Sequence, residues 1–153
     1  MRRERSMIRR LAIGWILVTL LVIIGSPAVA SQRMAVNADT ANIRAKPDIH
    51  SDTLWQVEKY YPLAILEKKG SWYRFKDFEG DMGWIHESLV DKTPTVIVKV
   101  DRANIRADAG TQYDLVFDAE RGTPFKVLKK KGRWIKVQHA DGDTGWIFSS
   151  LVW

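Results

Sequence analysis

Three histidines are the first place to look for chemistry in this chain, and they do not form a constellation. His50, His86 and His139 lie far apart, and no two are spaced to bracket a metal with a carboxylate. Asp141-Gly142-Asp143-Thr144-Gly145 opens like a calcium loop but lacks the later oxygen ligands and the distal Glu, so it reads as a hairpin turn. There is no Gly-x-Ser-x-Gly elbow, no Ser-His-Asp set and no phosphate loop. The absence of cysteine excludes a thiol nucleophile and a disulfide framework. The expectation is a chain with no catalytic residue, no metal and no cofactor. What remains is the contact chemistry of aromatic side chains, which anchor ligands through large, rigid apolar faces. Trp72 and Trp134 each stand in a Gly-x-Trp, and Trp84 and Trp146 each in a Gly-Trp-Ile, whereas Tyr60, Tyr61 and Phe78 occur only once.

Those tryptophans recur because the chain repeats itself at an offset of 62 residues without a gap. Ala41-Asn42-Ile43-Arg44-Ala45 returns as Ala103-Asn104-Ile105-Arg106-Ala107, and Gly83-Trp84-Ile85 as Gly145-Trp146-Ile147. Between Ala41–Val90 and Ala103–Val152, 21 of 50 positions are identical, so the two segments are copies of one unit. The period exceeds that of solenoid repeats and matches the size at which a small domain can just close its own core.

The elements that must hold the tryptophans read as short strands. Leu63-Ala-Ile-Leu-Glu67 and Phe125-Lys-Val-Leu-Lys129 are apolar runs following Pro62 and Pro124, and Lys69-Gly70 and Lys131-Gly132 mark turns. In Trp72-Tyr-Arg-Phe75 a period of two puts Tyr73 and Phe75 on one face and Trp72 with Arg74 on the other. Trp72 and Trp134 are therefore expected to point outward. Trp84 and Trp146, beside core isoleucines, are expected in the core or at a barrel end. The recurrence of Asn42, Arg44, Asn104 and Arg106 suggests a shared turn or ion-pair network. Five or so strands in so short a unit can bury one face only by curling into a barrel. The predicted fold class is all-β, two tandem small β-barrels over residues 34–91 and 95–153. The intervening Asp91-Lys-Thr-Pro94-Thr is short and stiffened by Pro94.

Ahead of the repeats, five arginines among residues 1–10 precede an apolar run from Leu11 to Gly25, then Pro27 and Ala28-Val29-Ala30. This order predicts a secretory signal peptide over residues 1–30, cleaved after Ala30, and a periplasmic or secreted protein. The alternative, an uncleaved anchor, would be the protein's one route to a membrane, and the apolar run is short of the roughly 20 residues that span one. With the leader go five Arg and one Glu, so the net charge falls from +6 to +2. That balance argues against nucleic acid as a partner. The remaining charge is uneven, with Lys129-Lys130-Lys131 and Arg133 crowded into the second copy.

Asn-Ile-Arg-Ala, an apolar strand after Pro, Gly-x-Trp and a closing Gly-Trp-Ile-x-x-Ser-Leu-Val occur twice in the same order. Together they resemble the bacterial SH3-like domain family, here as a tandem pair from about Met34 to Trp153. The resemblance implies small five- to six-stranded barrels in exported proteins, recognising cell-wall peptidoglycan or a wall-associated envelope protein. The closing motif is similar to that of eukaryotic SH3 domains, whose groove for Pro-rich peptides is lined by a Pro, a Tyr and an exposed Trp. By that likeness the candidate ligand-binding residues are Trp72, His86 and Leu89 in the first copy and Trp134, Phe148 and Leu151 in the second. Because the groove Pro is His86 or Phe148 and the groove Tyr is Leu89 or Leu151, polyproline recognition is not expected. Tyr60 and Tyr61, with Phe78, form a further candidate platform. The expected function is non-enzymatic binding; the other reading is an assembly partner of a secreted protein without glycan affinity.

Overall fold

A computed structural model describes residues 32–153; the leader and its expected cleavage point lie outside the described residues. The first repeat contains β1 (Arg33–Val36), β2 (Thr40–Arg44), β3 (Thr53–Glu58), β4 (Pro62–Lys69), β5 (Trp72–Lys76) and β6 (Met82–His86). A 3₁₀ turn, Glu87–Leu89, and the short β7 (Val90–Asp91) close it. The second runs through β8 (Thr95–Ile97), β9 (Arg102–Arg106), β10 (Leu115–Glu120), β11 (Pro124–Lys131), β12 (Trp134–Gln138) and β13 (Thr144–Phe148), then a 3₁₀ turn, Ser149–Leu151. The two antiparallel sheets have the orders β3-β2-β6-β5-β4-β1-β7 and β10-β9-β13-β12-β11-β8. In the second, Val98 pairs with Val152 where β7 meets β1 in the first.

Alternation dictates how each sheet closes. Every strand of the first repeat contributes to one buried cluster of Met34, Val36, Ala41, Ile43, Val57, Leu63, Phe75, Ile85 and Val90. A flat sheet cannot bring its outermost strands to one core, so the sheet curls into a barrel. The second cluster, built on Ile105, Phe125, Val137 and Ile147, repeats the arrangement. Bulges at Leu66 and Leu128 help the curl: the pairing of β4 with β5 and of β11 with β12 shifts there. The long strand can thus serve β1 or β8 with its first half and a projecting hairpin with its second. Gly70 and Gly132 make the hairpin tips at φ 58° and 57°, in the left-handed region that glycine enters without a Cβ penalty.

The repeats hold one another. Arg33 of the first lays its guanidinium 3.7 Å over the ring of Trp153 in the second. Arg121 of the second reaches back to Glu79 (Nε–Oε1 2.9 Å) and covers the Phe78 ring, while also donating to the Lys99 carbonyl. The linker is tied down as well, since the Pro94 carbonyl accepts from Val127 N–H at 2.8 Å. The short, stiff connection expected from Pro94 is thereby backed by contacts on both sides of it.

Candidate functional site: two aromatic grooves

Each repeat carries one groove, built the same way. Antiparallel register sets Trp72 opposite His86 and Trp134 opposite Phe148 on the outward face. The rings meet edge to face, with centroids 5.2 Å apart at 85° in the first repeat and 5.3 Å at 64° in the second. Leu89 and Leu151 sit at the last position of the 3₁₀ turns, where each packs on the core below and lines the groove above. The opposite wall is the loop after the Asn-Ile-Arg strand, Pro47-Asp48-Ile49 in one copy and Gly110-Thr111-Gln112 in the other. The grooves enclose about 600 and 620 Å³, and all six residues expected from the closing motif line them.

The recurring arginines hold the loop wall. Arg44 Nη1 donates to the Ser51 carbonyl at 2.7 Å and Arg106 Nη1 to the Tyr113 carbonyl at 2.9 Å, seven residues on in each copy. They therefore brace a turn rather than forming an ion-pair network. Further bonds rigidify the first loop, including Lys46 N–H to Ser51 Oγ and His50 N–H to Asp48 Oδ1. A wall fixed in this way loses little entropy when a ligand lies against it.

The two grooves differ in charge and polarity. The first offers the Asp48 carboxylate and His86, whose Nδ1 lies 2.8 Å from Ser88 Oγ and accepts from Ser88 N–H at 3.3 Å. The second adds Arg102, Asn104, Arg106 and Gln112 to its aromatic shelf, with Arg102 paired to Asp118 at 2.6 Å. Sequence reasoning missed the loop wall and Arg102. The repeated Arg44 and Arg106 were the signal for the wall, because an arginine kept in both copies beside a loop implies a loop worth holding.

Against known proteins, a model of the bacterial SH3 domain matches residues 37–92 and again 99–153. The chain belongs to the bacterial SH3 domain family. Among curated relatives, "Putative N-acetylmuramoyl-L-alanine amidase YrvJ" of Bacillus subtilis is 27% identical over 139 residues, covering 83% of this chain and 27% of that protein. "Probable cell wall amidase LytH" of Staphylococcus epidermidis is 33% identical over 61 residues, 39% of this chain and 21% of that protein. The chain thus spans about a quarter of the length of these relatives. A solved NlpC/P60 family protein from Bacillus cereus is similar at TM-score 0.38 and 14% identity, covering 79% of this chain and 55% of that one.

Not every aromatic residue of the tandem SH3 pair goes where the sequence suggested. Trp146 is buried as expected, but neither it nor the half-buried Trp84 packs inside a barrel cluster. Gly83 and Ile85 face inward, so Trp84 between them faces out, opposite Arg74 and Arg44. Trp146 takes the same outward position but is only 5% exposed, flanked by Arg106 and Lys136 with the Lys129 ammonium over its ring. The long cationic stems bury it, not the barrel interior.

Tyr60 and Tyr61 are brought to neither groove. Tyr60 adopts φ 70° where the second copy has Gly122 at 86°, and both N–H groups make the same bond, to the Val36 or Val98 carbonyl. Tyr61 packs on the core and donates its hydroxyl to Asp77 Oδ2 at 3.0 Å. Asp77, 5% exposed, also accepts from the N–H groups of Glu79 and Asp81, which shapes the turn that carries Phe78 to Arg121. These aromatics, absent from the second copy, accordingly shape the edge where the copies meet.

Burial and the Asp77 carboxylate hold the Tyr61 hydroxyl well above the usual phenol range. The folded state then favours the neutral phenol, so this contribution is complete below the unfolded value near pH 10 and is lost as pH rises beyond it. Tyr61→Phe should cost about 1 kcal/mol at pH 7, the worth of the lost hydrogen bond. Denaturant titrations should show that gap closing above about pH 10. A gap constant with pH would remove Tyr61 from the alkaline response.

Proposed function

We propose that this chain is an exported, non-enzymatic binding module that holds bacterial cell-wall peptidoglycan in its two grooves. One observation carries the reading: the same edge-to-face aromatic pair, Trp72–His86 and Trp134–Phe148, faces a braced loop in both repeats. A half-buried aromatic shelf beside hydrogen-bonding groups suits an extended ligand with alternating apolar and polar faces, such as a glycan strand or its peptide. Membership of the bacterial SH3 domain family, and curated relatives named as amidases of the cell wall, support that ligand class. The charged-then-apolar leader supports a periplasmic or secreted site of action.

A second reading, an assembly partner that packs on another secreted protein without glycan affinity, draws on the exposed Ile49, Leu115 and Val116. Washed, protein-free sacculi separate the two. Residues 32–153, which contain both cores, should be retained on sacculi and released by soluble wall fragments. Passage through the sacculi without retention would overturn the wall-binding reading and leave the assembly role.

A further inference from the structure

The two hairpins that project beyond the barrels have the same backbone and opposite electrostatics. In the first, Glu67 stands opposite Arg74 and pairs with it at 3.4 Å, and Lys68 pairs with Glu87 at 2.5 Å. In the second, Lys129 stands directly opposite Lys136, and the position of Glu87 is Ser149. Arg133 replaces Ser71 at the hairpin tip. Like charges directly opposite on neighbouring strands weaken a sheet, so the charges themselves oppose folding even though the stems cover Trp146. Lys131 has a distant partner, Asp108 at 3.9 Å.

We propose that the outer face of the β11–β12 hairpin, adjoining the second groove, is a second docking surface for a linear envelope polymer carrying a phosphate in each unit. Lys129 and Lys131 lie two residues apart on one strand, which spaces their stems about 7 Å along it. That spacing suits successive charges of a phosphodiester chain. Both cation types bind phosphate, lysine as a point charge and arginine through its fork, and this hairpin carries both, in Lys129, Lys131, Lys136 and Arg133. Arg133 lies 4.6 Å over Phe148, and the Lys129 ammonium 5.5 Å from the Trp146 ring, so both cations sit on aromatic supports. The charged-then-apolar leader, which reads as an export signal, favours a polymer of polyol or sugar phosphates over nucleic acid.

The test uses residues 32–153, which contain both cores, with linear poly(glycerol phosphate) as probe, and poly-glutamate, oligo-thymidylate and phosphatidylglycerol vesicles as competitors. Binding to the probe should be strong at low salt, fall steeply as salt screens it, and weaken at least tenfold in Lys129→Glu. That variant restores the Glu67–Arg74 type of cross-strand pair with Lys136 but gives up the Lys129 stem over Trp146, so its melting temperature should fall by only a few degrees and the chain stays folded in the assay. The reciprocal Glu67→Lys should strengthen binding, and Trp134→Ala should leave it unchanged while sacculus retention falls. Unaltered binding in a folded Lys129→Glu chain, or tighter binding to any of the three competitors, would overturn the proposal. Loss of probe binding in Trp134→Ala would do the same, because it would place the polymer in the adjoining groove.

Discussion

Gly145→Ala should destabilise the second repeat by about 3 kcal/mol, at the upper end of what overpacking a core costs, and Gly83→Ala the first by nearly as much. A Cβ on Gly145 would stand 2.4 Å from Ile105 Cγ2 and 3.1 Å from the Arg106 carbonyl. The isoleucine is fully buried and the carbonyl belongs to the strand that braces the groove wall, so neither can retreat. On Gly83 the Cβ would stand 2.3 Å from Ile43 Cγ2, with the Trp55 ring at 3.4 Å. A barrel of this size commonly has only about 3–5 kcal/mol to lose. Either substitution should therefore leave its repeat largely unfolded at temperatures where the other still melts normally. Gly132→Ala is the contrast: its Cβ would meet nothing within 4 Å, and its cost is the left-handed backbone alone, about 1 kcal/mol. Denaturant midpoints for the three variants check the order. Equal losses at Gly145 and Gly132 would mean that the core has slack beside Ile105.

Trp134→Ala and Trp72→Ala should each weaken sacculus retention by about 2 kcal/mol or more, roughly thirtyfold, as loss of an anchor aromatic does. Their melting temperatures should move little, because both side chains are only half buried and project from the outward face. Trp146→Ala should behave the other way, costing about 3 kcal/mol of stability with its effect on retention following the unfolded fraction. Trp84→Ala should fall between, since Trp84 is only partly covered by its arginine neighbours. Melting and retention curves on all four variants decide the matter. If Trp72→Ala and Trp134→Ala melt as low as Trp146→Ala, these rings are structural and the grooves are not the binding surface.

The contrast between Trp84 and Trp146 also marks where reading residues in a line stops working. Parity along Gly83-Trp84-Ile85 already implies an outward tryptophan once Gly83 and Ile85 are known to face the core. Proximity to isoleucine suggested the opposite, because a glycine facing inward leaves no side chain to signal its direction. Even correct parity would not have separated Trp146, buried under Lys129, from the half-exposed Trp84. The stems that cover it come from three other strands.

Local chemistry alone determined the two copies, their strands, their turns and the inward position of Phe75. Period-two burial and left-handed glycines are properties of a few consecutive residues, so they survive in the order of the chain. Likeness of the closing motif also brought forward Trp72, His86 and Leu89 with their counterparts, since one register pair and one 3₁₀ turn suffice to gather them. Only the tertiary structure decided which loop faces that trio, why Arg44 and Arg106 recur, and that Tyr61, Phe78 and Arg121 shape the junction of the repeats. It also set Lys129 against Lys136 where the first copy has an ion pair. Each of these depends on cross-strand register or on how the barrels meet, which bring together residues as far apart as Arg44 and Ser51, 7 positions, or Arg121 and Glu79, 42 positions.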